Sequence, residues 1–324
     1  MSKINNTTSY LTKEAEKTMQ REYELSKDDY RGAFENYLRN RGAGADKLMV
    51  GKKSNSMFEL PSDTSRDYQN ALLEESTFRK IATCVSAPRT NSTIWTSDGA
   101  EKAEWVSEGE PLDIGDISEN FSSYRIAAHK LAVLTRVNND FVSDTAFNIK
   151  KHLVKRFAKL FNRAEEDAFI NGSGTNEPVG ILHESAGAEV GVTTSELTFD
   201  DILNLYTSVK AEYRKKGAWL MSDETALTLR TLKDKDGNYI WNQNNDTILG
   251  KPVYTSEFMP GIASGNKVIA FGDFSYYWIV NRSNIAVRTL AEKFALKSQT
   301  GYLANEFLDA KLIRPEAIKV IQMA

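Results

Sequence analysis

The sequence predicts an α+β fold, and three features of the chain point to it. The first is a long helical pattern over residues 143–170, in which apolar side chains recur every three or four positions. The second is a series of short helices and strands that alternate along residues 184–284. The third is the closing segment, TGYLANEFLDAKLIRPEAIKVIQM, which predicts a long strand, a break at Pro315 and a final strand. A chain of 324 residues can bury a sizeable core around such elements.

Composition and charge exclude several classes of protein. Hydrophobic residues make up 41% of the chain, and no apolar run approaches the roughly 20 residues that span a bilayer. The 41 Lys and Arg against 44 Asp and Glu give a formal charge of −3, which does not favour strong electrostatic binding to nucleic acid or anionic lipid. Cys84 is the single cysteine, and the opening residues lack the apolar core of a secretory signal. We therefore expect synthesis inside the cell.

Residues 1–60 differ from the rest because they are polar and carry charges of alternating sign. They predict short helices over 12–25 and 26–40, followed by an extended arm or linker over 41–63. The second helix carries an apolar stripe that includes Tyr30 and Phe34, so it must lie against some surface. We call this part of the chain the arm.

Residues 93–121 predict a protruding two-stranded flap. Strand-like STIW and AEWV stretches flank an SDGAEKA turn, and an acidic tail too polar to build a core follows them. A small flap cannot bury Trp95 and Trp105 by itself, and such aromatic residues are favoured at interfaces. We expect the flap and the arm to find cover on neighbouring copies of the chain. The alternative is that both fold back on their own chain.

The long helix predicted over 143–170 takes Ser143 as its N-cap, and its lysines lie off the apolar stripe. The segment NGSGTNEP follows it, with Gly172, Gly174 and Pro178 placed where a helix should end. A phosphate-binding loop would precede a helix and use its positive end, whereas this loop follows the negative end. The sequence therefore predicts a structural joint at this loop.

Candidate catalytic and metal-binding residues are few and scattered. A nucleophile would have to be Cys84 or a serine, and the available histidines are His129, His152 and His183, with no signal that pairs them. Cys84 lies in an apolar stretch, IATCVSA, that favours a small buried side chain. One Cys and three dispersed His exclude a standard structural zinc site. The acidic clusters at 165–169 and 234–239 are interpreted as solvated faces, so we expect no cofactor and no metal.

The order of segments along residues 70–324 resembles the major capsid protein of tailed bacteriophages of the Hong Kong 97 type. The resemblance rests on AEWVSEGEPL, FINGSGTNEPVGIL after a helix, ILGKPVYTSEFMP, FGDFSYYWIVNRSNIAV and LIRPEAIKVI, in this order and spacing. It implies a Hong Kong 97-type capsid fold with an N-terminal arm (1–69), an extended β-hairpin loop (92–122) and a peripheral domain (70–91, 123–183 and 285–314) containing a long spine helix. It also implies an axial domain over 184–284 and 315–324.

The resemblance implies a structural protein, not an enzyme, that self-assembles as pentamers and hexamers into an icosahedral or prolate virion shell around double-stranded DNA. It implies that copies of the chain bind one another, a portal protein and, in some cases, separate scaffolding and decoration proteins, and that they contact DNA weakly and without specificity. It also implies assembly in the bacterial host cytoplasm, with no membrane. Candidate contacts between subunits are Trp95, Trp105, Glu108, Glu110, Lys151, Lys155, Lys159, Tyr30 and Phe34. Candidate structural joints are Gly172, Gly174, Pro178, Gly180, Arg314 and Pro315.

Two family features are expected to differ here. The type member joins subunits by a lysine–asparagine bond, but this flap carries only Lys102, and Ser298 stands about where the asparagine is expected. We therefore expect no covalent cross-link, and we expect the arm to be retained because it is much shorter than the type member's cleaved segment. The alternatives are an encapsulin-like nanocompartment shell, a phage tail or adaptor protein and, from a different class, an intracellular α/β hydrolase.

Overall fold

A computed structural model describes residues 29–39, 48, 52–53, 57–87, 93–97, 121–144, 146–233, 237, 239, 241–242 and 245–324. The chain divides into two compact units. Unit 1 comprises 1–75, 131–162 and 284–306, and unit 2 comprises 76–130, 163–283 and 307–324. None of the helices among the described residues is both long and apolar enough to cross a membrane.

Unit 1 packs helices against an antiparallel sheet. Its helices are α1 (29–38), α2 (Ser62–Glu75), α4 (Asn139–Ser143) and the first part of α5 (Ile149–Asn171). Its strands are β1 (Lys52–Lys53), β2 (Met57–Glu59), β14 (Ala286–Leu290) and residues 299–306 of β15 (Gln299–Leu312), paired in that order. A further strand, β6 (His129–Asn138), also pairs with β15. The register sets Val287 opposite both Phe58 and Ala304, and all three are buried in one core.

The arm helix α1 is part of this core. Phe34 is 0% exposed and Leu38 2% exposed, and both belong to the same cluster as Leu153 and Phe157 of α5. The prediction that the apolar stripe of this helix waits for a neighbouring copy is therefore wrong for residues 29–39. The stripe was recognised correctly, but its partner surface lies on the same chain. The predicted helix over 12–25 lies outside the described residues.

The long helix α5 begins later than predicted. Residues 139–143 form the separate helix α4, which ends where the Asp144 amide donates to the Asp140 carbonyl at 3.1 Å. Asn148, rather than Ser143, supplies the cap, because its Oδ1 accepts from the Lys151 amide at 2.9 Å. The 23 residues of α5 extend about 34 Å at 1.5 Å per residue, shorter than the roughly 40 Å expected for 143–170.

Unit 2 contains a seven-stranded sheet in the order β7-β16-β12-β8-β11-β10-β9. These strands are β7 (Glu189–Thr194), β8 (Ala218–Met221), β9 (Trp241–Asn242), β10 (Thr247–Ile248), β11 (Lys251–Thr255), β12 (Lys267–Gly272) and β16 (Ile318–Met323). Helices α6 (Phe199–Ser208), α7 (Ala211–Arg214) and α8 (Asp223–Thr231) accompany it. Its core includes the fully buried Trp219 and Phe271, whose ring centroids lie 4.2 Å apart.

A second group of strands in unit 2 surrounds residues 307–312 of β15. There β15 pairs antiparallel with β13 (Tyr277–Asn281), which pairs parallel with β3 (Thr83–Ser86) after the short helix α3 (Phe78–Ile81). The strand β4 (Thr93–Ser97) pairs with β5 (Phe121–Arg125) as a separate antiparallel pair. The AEWV stretch that we predicted as the partner of β4 lies outside the described residues, and the described partner is β5.

Candidate assembly surfaces

Helix α5 presents a basic face to solvent. The alternation of apolar and charged residues buries Ile149, Leu153 and Phe157 and leaves the other side of the helix exposed. Six exposed residues on that side are of basic type: Lys151, His152, Lys155, Arg156, Lys159 and Arg163. We call them the basic face. The sequence contains no Asp or Glu between residues 149 and 164, so this positive charge is not neutralised along the helix.

The ion pairs near this helix involve other cations. Lys150, next to the basic face, lies 3.7 Å from a carboxylate oxygen of Asp63. Arg163, at the end of the basic face, lies 3.5 Å from Glu257, and both side chains are mostly exposed. Within the described part of the chain, Lys151, Lys155 and Lys159 take part in no ion pair. The structure thus brings the three predicted lysines together on one open surface.

The flap is described only at its base. Trp95 lies in β4, and the pairing of β4 with β5 sets Trp95 opposite Ser123. The other predicted contact residues of the flap, Trp105, Glu108 and Glu110, lie outside the described residues. On the return strand, the Tyr124 hydroxyl donates to the Ile313 carbonyl at 2.8 Å. The base of the flap is therefore held to unit 2 through β5.

The arm residue Tyr30 is half-buried, and its hydroxyl donates to the Glu59 carbonyl at 2.8 Å. Burial, and secondarily the negative charge of Glu59, raise the pKa of Tyr30 to about 12. The Tyr302 hydroxyl donates to the Leu38 carbonyl, and Arg39 donates to three carbonyl oxygens in residues 142–147 at 2.7–3.0 Å. These bonds hold α1 on its own chain, and sequence patterns could not reveal them because the partners lie about 30 to 260 residues apart.

In the glycine loop after α5, the backbone at residues 172–173 lies directly against the backbone at residues 179–180. The Gly180 amide donates to the Gly172 carbonyl at 2.9 Å, and Ser173 bridges to Val179. A Cβ at Gly172 would lie 2.2 Å from the Pro178 carbonyl oxygen, so only glycine fits there. Gly174 has a φ of +76°, the left-handed conformation expected after a helix. This geometry favours the structural joint over an anion site.

The second predicted joint lies at the end of β15. Pro315 opens a short 3₁₀ helix, Pro315–Ala317, between β15 and β16. The Arg314 guanidinium donates to the Tyr213 hydroxyl at 3.3 Å and lies 5.8 Å from the centre of the Tyr276 ring. Arg314 therefore ties the turn to α7 and to the segment before β13, all within unit 2.

The candidate chemical groups do not form a catalytic site among the described residues. His183 Nδ1 accepts from the Ser185 and Ala186 amides, His152 packs 5.3 Å from the Phe147 ring, and Cys84 lies against neither histidine. Cys84 is exposed as a residue, which corrects the expectation of burial, yet desolvation of its thiol raises the pKa and disfavours a thiolate. No cluster of His, Cys, Asp or Glu in the described ranges could hold a metal ion.

The acidic cluster at 165–169 is not a solvated face, which corrects a further expectation. Glu165 is 2% exposed and accepts from Arg79 Nε at 2.8 Å and from Nη2 at 2.7 Å. The two charges satisfy each other inside unit 2 as a bidentate pair. This pair is structural, since nothing in the described chain connects it to a histidine or a metal cluster. The cluster at 234–239 lies mostly outside the described residues.

Comparison with known proteins agrees with a shell component. The chain is 24% identical over 257 residues to the probable major capsid protein gp17 of Mycobacterium phage L5, covering 71% of this chain and 75% of that protein. The capsid protein in the native GTA particle shares 26% identity and a TM-score of 0.63, over 84% of this chain and 94% of that one. A structure from Microbacterium phage Oxtober96, at 15% identity and a TM-score of 0.56 over 86% and 98% of the two chains, shares the fold.

A family model described as the phage capsid family matches residues 58–323. The match includes most of both units, with the basic face and the glycine loop, whereas the described residues bring together no catalytic group for the hydrolase alternative. The α+β fold is therefore that of phage capsid proteins, as the resemblance predicted. This protein belongs to the phage capsid family and is a structural component of a capsid shell, not an enzyme.

Proposed function

We propose that this chain is the major capsid protein of a tailed phage or a phage-like particle, and that pentamers and hexamers of it close into an icosahedral or prolate shell around double-stranded DNA. The observation that carries the proposal is the match of residues 58–323 to the phage capsid family. Purified protein should form closed particles visible by negative-stain electron microscopy. Particles recovered from infected cells should contain DNA; particles that enclose an enzyme instead would favour the encapsulin-like alternative.

The basic face of α5 is proposed to receive the acidic flap of a neighbouring subunit. Residues 101–120 contain seven Asp or Glu residues and only one Lys, whereas the basic face contains five Lys or Arg residues, one His and no acidic residue. Opposite charges on two segments favour their approach and disfavour the wrong register. Glu108 and Glu110 would supply charge to this contact, and Trp95 and Trp105 would supply apolar area. Each contact is weak alone, but a closed shell repeats it many times.

The charge contact is tested with the variant Lys151→Glu, Lys155→Glu and Lys159→Glu combined. We expect this variant to fold, because all three side chains are exposed, and to lose closed particles, because the contact becomes repulsive. The matched control changes the exposed Lys210, Lys215 and Lys216 of unit 2 to Glu, which alters net charge equally. Circular dichroism checks folding, and microscopy checks assembly. Equal particle yields from the variant and the control would exclude this contact.

The aromatic contact is tested with Trp105→Ala. We expect impaired assembly with an unchanged far-ultraviolet spectrum, because loss of a large aromatic ring removes contact area between subunits. Tyr239→Ala is the control, since Tyr239 is an aromatic residue of unit 2 that is 55% exposed. Particles of normal yield and size from Trp105→Ala would contradict the role of Trp105.

The remaining proposals concern partners and processing. A portal protein, and possibly scaffolding and decoration proteins, would act with the shell, and assembly would take place in the bacterial cytoplasm. The arm is proposed to be retained, since its helix α1 is packed into unit 1. Mass spectrometry of mature particles should therefore find chains that still contain residues 29–39. A denaturing gel should show single subunits, because Lys102 and Ser298 do not reproduce the family's cross-linking pair.

A further inference from the structure

One face of the unit 1 sheet points away from the core. The register of β14 and β15 sets Arg288 opposite Leu303 and Leu290 opposite Gly301. Successive side chains of a strand point to opposite faces, and Tyr302, between Gly301 and Leu303, is fully buried in the unit 1 core. The four paired residues therefore lie on the other face, which we call the outer face.

A 3₁₀ helix, Glu292–Lys297, lies against the outer face. Gly301 leaves room for this helix, because a Cβ on Gly301 would lie 2.5 Å from the nearest carbon of the Phe294 ring. The centre of the Phe294 ring also lies 5.8 Å from the guanidinium carbon of Arg136, an exposed residue of β6. Phe294 thus holds the helix against the sheet, whereas Leu296 of the same helix is fully exposed.

The outer face combines exposed apolar side chains with positive charge. Leu134 is 43% exposed and lies two residues before Arg136 in β6, so both side chains point to the same side of that strand. Four exposed basic residues accompany Leu134 and Leu296, and within the described part of the chain they take part in no ion pair: Arg136, Arg288, Lys293 and Lys297. Exposed apolar area together with charged residues is typical of a protein–protein contact surface.

Unit 2 exposes a surface of the opposite charge. Asp223 and Glu224 are exposed in the first turn of α8, and Leu227, one turn after Glu224, is 65% exposed. A Cβ on Gly261 would lie 2.9 Å from Glu224 Oε2, so the loop that carries Ile262, itself 38% exposed, lies next to this helix. We call Asp223, Glu224, Leu227 and Ile262 the acidic face.

We propose that the outer face of one copy of the chain binds the acidic face of a second copy. The charges are complementary, and each surface also offers exposed leucine to the other. Two outer faces would oppose like charges, so each outer face favours the different surface. Such a contact is heterologous, and it can repeat from copy to copy until a ring or a shell closes. The contact rests on the proposed function, and it adds to the contact of the basic face with the flap.

The test exchanges charge between the two surfaces in the full-length chain. Lys293→Glu with Lys297→Glu makes the 3₁₀ helix acidic, and Asp223→Lys with Glu224→Lys makes the start of α8 basic. Each pair of changes opposes like charges across the contact, so each should lower the yield of closed particles about tenfold. All four changes in one chain oppose unlike charges again and should restore the yield to within about threefold of the wild type. Circular dichroism checks folding, which we expect to persist because all four side chains are exposed.

The matched control combines Lys293→Glu and Lys297→Glu with Glu196→Lys and Asp200→Lys. Glu196 and Asp200 are exposed acidic residues of unit 2 outside the acidic face, so the control restores the same net charge. It should leave the particle yield low. Equal recovery in the control, or no recovery when the changes at 223, 224, 293 and 297 are combined, would overturn the proposal.

The exposed leucines test the contact without a change of charge. Leu296→Ala and Leu227→Ala should each lower the particle yield about fivefold, because each removes apolar area from the contact. The double change should lower it by clearly less than the product of the two single effects, since both act on one contact. Unchanged yields in both single variants would reject the contact, and this comparison decides if the reversal on α8 prevents folding.

Sedimentation velocity of the same variants measures how copies associate before any particle closes. A wild type that associates and responds to the charge exchange, but forms no closed particles, would reject the proposed function and leave this contact in place. Closed wild-type particles whose assembly does not respond to the charge exchange would leave the proposed function in place and reject the contact.

Discussion

The substitution Gly180→Ala tests whether the loop after α5 is a rigid joint. An ideal Cβ at this position would lie 2.5 Å from the Gly172 amide nitrogen and 2.5 Å from the Ile170 carbonyl oxygen. Both are backbone atoms, so neither can rotate away as a side chain could. The added methyl group must therefore push the loop away from the end of α5.

The expected loss of stability follows from the bonds that this movement breaks. The Gly180 amide donates to Gly172 at 2.9 Å, and the next two amides donate to Phe169 and Ile170 at 2.8 and 3.0 Å. Each backbone hydrogen bond contributes about 0.5–1.5 kcal/mol, and overpacking costs about 1–3 kcal/mol. We therefore expect Gly180→Ala to lower the free energy of unfolding by about 3–5 kcal/mol, a large fraction of the roughly 5–15 kcal/mol typical of a folded protein.

Urea unfolding followed by tryptophan fluorescence measures this loss, and hydrogen exchange of residues 169–182 localises it. Two other glycines serve as controls because a Cβ would meet no atom within 4 Å at either position. Gly32→Ala, in α1, should stabilise by about 0.5–1 kcal/mol, since alanine favours a helix. Gly250→Ala, at a φ of +72°, should cost about 1–2 kcal/mol for left-handed backbone alone. If Gly180→Ala unfolds at the same urea concentration as the wild type, the joint is not rigid.

The buried pair and the arm give two further predictions. Glu165→Gln leaves Arg79 buried beside a neutral amide, so it should lower the free energy of unfolding, measured in urea, by about 3–5 kcal/mol. The double change Arg79→Met with Glu165→Leu should lower it by clearly less than the sum of the two single changes, and additive losses would reject a coupled pair. Burial raises the pKa of Tyr30 to about 12 and raises the pKa of Tyr302 further, whereas the pKa of tyrosine in an unfolded chain is about 10. The stability that these two hydroxyls provide is therefore complete below pH 10 and is lost as the pH rises through 12. Hydrogen exchange of residues 29–39 should therefore accelerate beyond its intrinsic increase above pH 10, and Tyr302→Phe should weaken this response while costing about 1 kcal/mol at pH 7; an unchanged response in that variant would show that Tyr302 does not hold the arm.

The sequence was informative where a pattern repeats locally. The body of α5, the alternating elements after residue 184 and the break at Pro315 all follow from periodicity and from the chemistry of proline and glycine. The start of α5 was missed because the cap is Asn148 and not Ser143, and because Arg39, about 105 residues away, binds three carbonyls of the segment that separates α4 from α5. Local propensity cannot contain such a distant contact.

The same limit explains the errors at the candidate sites. The acidic run at 165–169 has the composition of a solvated face, but Arg79, 86 residues earlier, pairs with Glu165 and removes it from water. The stripe on α1 was recognised as apolar, but a stripe alone does not say whether its partner lies on the same chain. The basic face was predictable, because lysines at helical spacing off the apolar stripe face solvent and their exposure does not depend on a distant partner.

The position of α1 changes which parts of the chain can drive assembly. Ordering a free segment at an interface costs conformational entropy, and that cost weakens the contact. Residues 29–39 are already ordered by burial of Phe34 and by bonds that involve Tyr302 and Arg39, so this part of the arm packs on its own chain and is not free to make a new contact. The proposed contacts must therefore come from the rest of the chain, among them the basic face and the flap.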